Sequence, residues 1–506
     1  MLRQVSAGFH ALLLMASFCA MQAPSAFASP HLVRGIRPPQ LKSNPLAAQL
    51  QSQLDGLRQK LSSRARRTNL QEAVEQTLLH NPILAQSYSQ IQQQQWNLIA
   101  VRRQWYPQLQ ASSAGTSLFG YRGSTSKFVN SNEPGFQPNT SFTNQVDAGP
   151  AMQLSWTFFD PTRGPSINAA SESLKAQRLL FDVSARDLVL EAQLAYFALQ
   201  EQEKLIVDYE LILNSTTQQM NRTEALFNAG SASIGDVEQI RTQQLQNLST
   251  VIDTYRQLVD AAARLAQAMA LPLGALVLSQ DKLALVGRWT LSESETLMQA
   301  EQLREEIKAS LALASSSGWR ANALFNRYWP SFSTQASGSF LNTNYAGGYP
   351  GSAVTINSQS AQWNGAFGLG FTWTIFDGGI NAAQAEANQA QVRQFTDQAS
   401  VQRLAVAREV ERSYSNYEAS ILILASTKEQ IQSAQTAAEA VRERFSIGFS
   451  DMTSVVQTYN QAILAASAYA RSIREYNTAV ASLYRYSASW PDGSLPLVQS
   501  RMQALK

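Results

Sequence analysis

Trp156-Thr157-Phe158-Phe159-Asp160 returns later in the chain as Trp373-Thr374-Ile375-Phe376-Asp377, and Ile-Asn-Ala-Ala follows each copy at 167–170 and 380–383. Phe227-x-x-Gly230 returns as Phe445-x-x-Gly448, and Trp105-Tyr106-Pro107 has a counterpart in Tyr328-Trp329-Pro330. Landmarks repeated in one order mean an internal duplication, so the chain must build one plan twice. Each half reads helix, strand, loop, strand, long helix, glycine break, helix. The boundaries expected are a first repeat over 68–271, an inter-repeat equatorial segment over 272–291, and a second repeat over 292–487.

The helices are unusually long. No proline or glycine interrupts the chain from Ser166 to Asn228, which as one helix would reach roughly 95 Å at 1.5 Å per residue. Apolar residues step along these helices by threes and fours: Leu180, Val183, Leu190, Leu194 and Phe197 in the first half, then Val406, Val410, Tyr414, Tyr417, Ile421 and Leu424 in the second. That spacing makes a coiled-coil-like seam. Thr68 with Gln71, and Ser292 with Glu295, have capping-box spacing at helix starts. Gly230 and Gly448 stand where the two rods end, because glycine takes the left-handed conformation that terminates a helix.

Elsewhere the period becomes two. Met152, Leu154, Trp156 and Phe158 alternate with Gln153, Ser155 and Thr157; Phe367, Leu369, Phe371, Trp373 and Ile375 alternate with Gly368, Gly370, Thr372 and Thr374. An apolar face opposite a small, hydroxylated one fits a half-buried strand or a barrel strand with lipid outside and water inside. Partner segments at 107–119 and 330–340 alternate more weakly. Between them, 122–142 and 342–362 are rich in Asn, Ser, Gly and Pro and read as mobile loops. Trp105-Tyr106 and Tyr328-Trp329 suit an aromatic girdle, or ordinary packing at a helix–strand junction.

If the four strands lie in a membrane, they cannot stand alone. Each unpaired backbone group on a sheet edge costs several kcal/mol in hydrocarbon, and a handful would exceed a whole domain's roughly 5–15 kcal/mol. Four strands do not close on themselves, since small membrane barrels have about eight. Two copies supply eight strands and three supply twelve. A water-filled lumen continuous with a helical tube favours three.

The termini and composition narrow the class. Residues 1–28 have the form of a secretory signal peptide: Arg3, the apolar stretch 11–21, and Ala26-Phe27-Ala28 as cleavage site. Cys19, the sole cysteine, lies inside it, and Phe18 before it departs from the Gly or Ala of a lipoprotein site. Cleavage would leave no thiol for disulfides or metals. Three histidines and no facing pairs of acid and base give no catalytic constellation, so no enzyme activity, metal or cofactor is expected. A net charge of +3 gives no reason to expect nucleic acid. The basic stretch 29–67, with RARR at 64–67, reads as a solvated tether, and 488–506 as a poorly ordered tail.

The duplicated plan, the Phe-x-x-Gly tips followed by Asp236-Val237 and Ser454-Val455, and the Trp-Thr-[Phe/Ile]-Phe-Asp junctions resemble the TolC-type outer-membrane efflux protein family from about Leu70 to Ser487. The resemblance implies an α+β membrane protein: a homotrimer whose twelve-stranded barrel lies in outer-membrane lipid, continuous with a long α-helical tunnel in the periplasm. It further implies passive exit of substrate, in drug efflux or type I secretion, with a periplasmic adaptor and an inner-membrane pump as partners. In that family polar links and acidic rings shut the tunnel tip. Here Asp236 stands at the first-repeat aspartate, whereas Phe445, Ser450, Ser454 and Gln457 replace the family's tyrosine, arginine and two aspartates. Asp451 is the nearest substitute, as a pore-lining acid or a solvated tip residue; Asp236 is a helix cap or a gate latch. A coiled-coil envelope spacer or adhesin stalk is the competing function, and it would lack amphipathic strands.

Overall fold

The computed structural model describes residues 45–113, 119–128, 139–348 and 355–505. The expected signal segment and residues 29–44 lie outside them. The order is α1 (Pro45–Arg64), β1 (Ala65–Thr68), α2 (Leu70–His80), α3 (Pro82–Arg103), β2 (Gln108–Ser113), β3 (Phe119–Phe128), β4 (Asn139–Ala148), β5 (Pro150–Phe159), α4 (Arg163–Asn228), α5 (Ile234–Ala268), β6 (Leu276–Ser279), α6 (Glu293–Leu303), α7 (Glu305–Phe325), β7 (Ser331–Gly348), β8 (Thr355–Thr372), α8 (Ile380–Ser446), α9 (Met452–Tyr486) and α10 (Ser494–Ala504). No helix among the described residues is long and apolar enough to cross a membrane.

The strands trace four paths. β2 runs on in line with β3, and β4 with β5, so β2 pairs β5 while β3 pairs β4. β7 pairs β5 through Phe332–Ser339 and β4 through Asn342–Gly348, all antiparallel. β8 pairs β7 along its whole length, from Ser331↔Thr372 to Gly348↔Thr355. Much of what reads as loop at 122–142 and 342–362 is therefore strand. Serine, asparagine and glycine are poor strand formers alone, but here each stretch is held by a ladder to at least one neighbouring strand. β2/β3 form one edge and β8 the other, and neither has a second neighbour among the described residues.

Two rods of nearly equal length hang from this sheet: α4 has 66 residues and α8 has 67, each about 100 Å. Each is flanked by two shorter stretches laid end to end. α2 and α3 cover the sheet-proximal half of α4, and α5 the distal half; α7 and α9 do the same for α8. α4 is also packed against α7 and α9, which places it inside the layer and leaves α8 at an edge. The seam on α8 shows in the burial of Val406, Val410 and Tyr417, although Ile421 is exposed. The Ser292–Glu295 capping box forms, but α2 is capped by Asn69, whose side chain accepts from the Glu72 amide, and not by Thr68.

At mid-height a girdle crosses the rods, and it corrects two expectations. The described part of the basic tether is α1 and β1. Leu54 and Leu61 enter the main core, Arg58 pairs with Glu210 and donates to Tyr255, and β1 runs parallel to β6. Leu50, Leu54 and Leu61 share one face of α1 and bury it, and Arg58 beside them adds its ion pair to the same contact. The supposed tail likewise forms α10, which lays Val498 and Leu497 against α2.

Between girdle and sheet, a buried ionic knot joins the repeats. Arg304 binds Glu306 (3.0 Å) and Glu409 (3.0 Å); Arg485 binds Asp187 (2.6 Å) and Glu306 (2.7 Å); Arg186 binds Glu305 (2.9 Å) and lies over Trp490. Burial disfavours the Glu306 charge, but Arg485 and Arg304 outweigh it and pull its carboxyl down to about 2. Nearby Asp182 has no such pair: burial, then the Glu305 charge, push it up to about 6.

Candidate functional site: an amphipathic sheet and two helical tips

Cross-strand register sorts the sheet into two unlike faces, since directly opposed residues point the same way. Leu109, Leu154, Ala336 and Phe367 share one rank; Ala111, Met152, Gly338 and Gly365 share the next. Trp156, Thr334 and Leu369 form a third on the same side. The opposite face presents Gln108, Ser155, Gln335 and Gly368, then Gln110, Gln153, Ser337 and Ala366. Further from the rods the apolar side ends, because Asn342, Asn344, Asn357 and Gln359 occupy its positions.

Aromatic residues mark both margins of the apolar band. Phe340 and Trp363 pack at 4.9 Å at the upper margin. At the lower, Phe332 meets Phe158 (6.4 Å), Phe159 (5.9 Å) and Phe371 (6.2 Å). On β8 the band runs from Trp363 to Phe371, roughly 20–25 Å tall for a tilted strand, against about 25 Å for an outer-membrane barrel. Its large side chains are bare: Phe367 is 76% exposed and Leu369 74%.

Three of the expected strand residues need correction. A bulge between Thr157 and Phe159 breaks the alternation at Phe158, so that two phenylalanines face Phe332 instead of one. Trp373 and Ile375 lie past the end of β8, because β7 begins at Ser331 opposite Thr372 and offers no further partner. Trp373 has another task. Its indole N–H donates to the Tyr328 carbonyl (2.8 Å), as Trp156 donates to that of Trp105 (2.9 Å). This explains the repeated motif: tryptophan ties each strand's end to the preceding helix–strand turn. The aspartate then starts the rod, Asp160 accepting from the Thr162 amide and Asp377 from those of Gly379 and Asn381.

At the far ends, the two helical hairpins close alike. The Ser231 amide donates to the Leu226 carbonyl and that of Gly230 to Phe227; Phe449 donates to Arg444 and Gly448 to Phe445. These are Schellman closures, with Gly230 at φ +79° and Gly448 at φ +81°. The returning helices are capped by the same two residue types exchanged. Ser233 accepts from the Asp236 amide, and Asp236 accepts back from the Ser233 amide (2.8 Å); Asp451 accepts from the Ser454 amide (2.7 Å). That N–H holds the exposed Asp451 carboxyl below its ordinary range. Asp236 therefore acts as a cap.

Phe227 and Phe445 turn inward onto a small distal core of Met220, Val237, Ile240, Met452, Val455 and Tyr459. Among the described residues, Ser450, Ser454 and Gln457 make no side-chain bond between the hairpins. Those bonds come from residues that the sequence reading passed over: Gln239 donates to Thr453 (3.2 Å) and Gln243 to Asn460 (2.9 Å). Behind them Gln243 also donates to Asn247, which donates to Thr216 (2.8 Å). The amide-rich runs Thr242–Asn247 and Thr458–Gln461 carried that signal. The exposed Ile447 and Phe449 beside Gly448 were missed too; the first tip has only Ala229, Ser231 and Ala232 there.

Comparison with known proteins agrees with this geometry. The chain is 23% identical over 406 residues to the outer membrane protein TolC of Escherichia coli (strain K12), covering 78% of this chain and 77% of that one. The Campylobacter jejuni CmeC outer membrane channel superposes with a TM-score of 0.66 at 14% identity, covering 87% of this chain and 90% of that one. The open state of the Neisseria gonorrhoeae MtrE outer membrane channel does so with 0.59 at 18%, covering 83% and 89%. The model of the outer membrane efflux protein family matches residues 73–271 and 296–489, taking in both copies of the duplicated plan. The chain belongs to the outer membrane efflux protein family.

Proposed function

We propose that three copies of this chain form a passive exit channel through the outer membrane, with a twelve-stranded barrel and a periplasmic tunnel built from the rods. The observation that carries this reading is the sidedness of the open sheet: an apolar band of membrane height, margined by aromatics, backs onto a glutamine- and serine-lined face. Met152, Leu154, Trp156, Phe158, Phe367, Leu369 and Phe371 would meet lipid, with Trp373 and Ile375 at its lower boundary. Edge strands β2/β3 and β8 would pair between neighbours, since no open edge survives in hydrocarbon. The same strands weigh against a stalk without transport.

The tip would be held by neutral links, Gln239–Thr453 and Gln243–Asn460, in place of ionic ones. Each such bond contributes only about 0.5–1.5 kcal/mol net, so the closure can be released by an adaptor and an inner-membrane pump. The tip set of Phe227, Gly230, Asp236, Phe445, Gly448, Ser450, Asp451, Ser454 and Gln457 then shapes the turns, while the amides clasp them. Detergent-solubilised protein should have the mass of a trimer, and planar bilayers should show a stable conductance that rises in Gln243→Ala/Asn460→Ala. A monomer, or a silent bilayer, refutes the channel; a conductance unmoved by the double variant refutes the clasp.

A further inference from the structure

The girdle covers one face of the helical layer from end to end. On α4, the Tyr196 hydroxyl shares a hydrogen bond with that of Ser279, Gln200 donates to the carbonyl of Asp281, and Glu203 accepts from the Ser279 amide. On α9, Asn477 bonds both Ala284 and Val286, and Tyr476 donates to Gly287. On α8, Tyr417 and the Trp289 cluster complete the cover. The uncovered face is the reverse. Tyr209 lies nine residues from Gln200, about two and a half turns, and Arg471 lies nine residues from buried Val480.

In a tube of three chains the girdle must be outside. α1 alone is about 10 Å across, and three copies facing one axis would block the passage. The uncovered face is then the passage wall, and at this level it holds a groove of about 430 Å³ between α4, α5 and α9. Glu201, Tyr209, Thr250, Asp253, Ser467 and Arg471 line it.

The groove's charges are settled internally, except one. Glu201 is paired with Arg474 (2.7 Å); Asp253 is paired with Arg256 (2.9 Å) and accepts from Gln257 (2.7 Å). Arg471 is exposed on α9; its charge favours ionisation of Glu201 and Tyr209 across the groove, but among the described residues it makes neither a hydrogen bond nor an ion pair, so its N–H groups face the opening. A guanidinium offers five donors in a planar fork that matches carboxylate and phosphate oxygens. We propose that this groove is an anion-contact site in the wall of the tunnel, with Arg471 as its recognising group. Three copies place a ring of guanidinium groups around the passage, so that solutes bearing a carboxylate, phosphate or sulfonate are drawn in at this level. The inference rests on the trimeric-tube reading and adds a substrate preference to it.

Reversal potentials of the full-length channel in planar bilayers under a KCl gradient test the ring. Removing three like charges from a narrow wall should raise the potassium-to-chloride permeability ratio about threefold in Arg471→Gln. Arg471→Cys should behave the same, and a thiol reagent that adds a trimethylammonium group should restore the original ratio. The sulfonate-bearing reagent should raise it further. Lys282→Cys, on the girdle face, should label without moving the ratio, with the unsubstituted channel as reagent control. A ratio unchanged in both Arg471 variants, or moved equally through Lys282→Cys, overturns the ring while conductance keeps the channel reading intact. Silence from the unsubstituted protein overturns both.

Discussion

α4 and α8 are copies of one another in plan and nearly equal in length, yet 24 residues of α4 are buried and only 9 of α8. α4 fills its sides with α2, α3, α5, α7 and α9, whereas α8 keeps one flank without a neighbouring helix among the described residues. That flank is mixed: Val401, Leu404 and Leu422 are bare, with Leu404 at 75% and Leu422 at 73% exposed, and the exposed Arg408, Glu411, Ser415 and Glu418 stand between the two leucines. It lies on the same side of the protomer as the unpaired edge of β8. Duplication thus gives two rods of one plan, of which one serves the chain's own core and the other, on the trimeric reading, would meet a neighbour.

The comparison can be broken most decisively at that flank. Leu404→Glu with Leu422→Glu should abolish the trimer in size-exclusion chromatography with light scattering, because six unpaired charges would enter the interface at several kcal/mol each. A trimer that persists would make the α8 flank an ordinary surface. The matching change inside α4 attacks the chain itself. Phe181→Ala removes a fully buried ring set edge-on to Tyr88 and should cost about 3–5 kcal/mol in denaturant unfolding. Leu404→Ala in isolated chains should cost far less.

The ionic knot, where α4 meets α7, α8 and α9, should give about 3 kcal/mol on Glu306→Gln, which leaves Arg304 and Arg485 buried without their shared partner. Its pH dependence has two signs. Glu306 is depressed from 4.5 to about 2, so its contribution is full above about pH 4.5 and is lost as pH falls through 2. Asp182 is raised from 3.8 to about 6, so its ionisation opposes folding as pH rises through that interval. Melting curves of Asp182→Asn should therefore show a shallower decline between about pH 4 and 6, with Glu203, raised to about 7 by burial, supplying the remainder, and should keep the acid-side decline. An unchanged neutral limb would remove Asp182 from the account.

The smallest effects belong to the tips. Gly230→Ala and Gly448→Ala should each cost about 1–2 kcal/mol, since both stand at positive φ. Asp451→Ala should lower stability by less than either glycine change, as the loss of one exposed helix cap. Equal values at the two glycines would support equivalent turns; a much larger loss of channel closure at Gly448 would show that Ile447 and Phe449 do more than end a helix.

Residue chemistry alone determined the periodic parts: the duplication, both rods and their glycine ends, and the apolar ranks at Met152–Trp156 and Phe367–Phe371. Helix and strand periods are properties of neighbouring residues, so they survive being read in one dimension. Tertiary structure decided what depends on distant partners. Serine- and asparagine-rich stretches became strands because β7 and β8 ladder against each other for 18 residues apiece. The basic tether became α1 and β1 because β6, some 210 residues away, supplied an edge. The bonds between the hairpin tips came from Gln239, Gln243, Thr453 and Asn460, which no family position pointed to, since short polar side chains bond only what the packing of α5 against α9 sets within about 3 Å. Which of two look-alike rods would be buried was decided the same way, by what lay beside it.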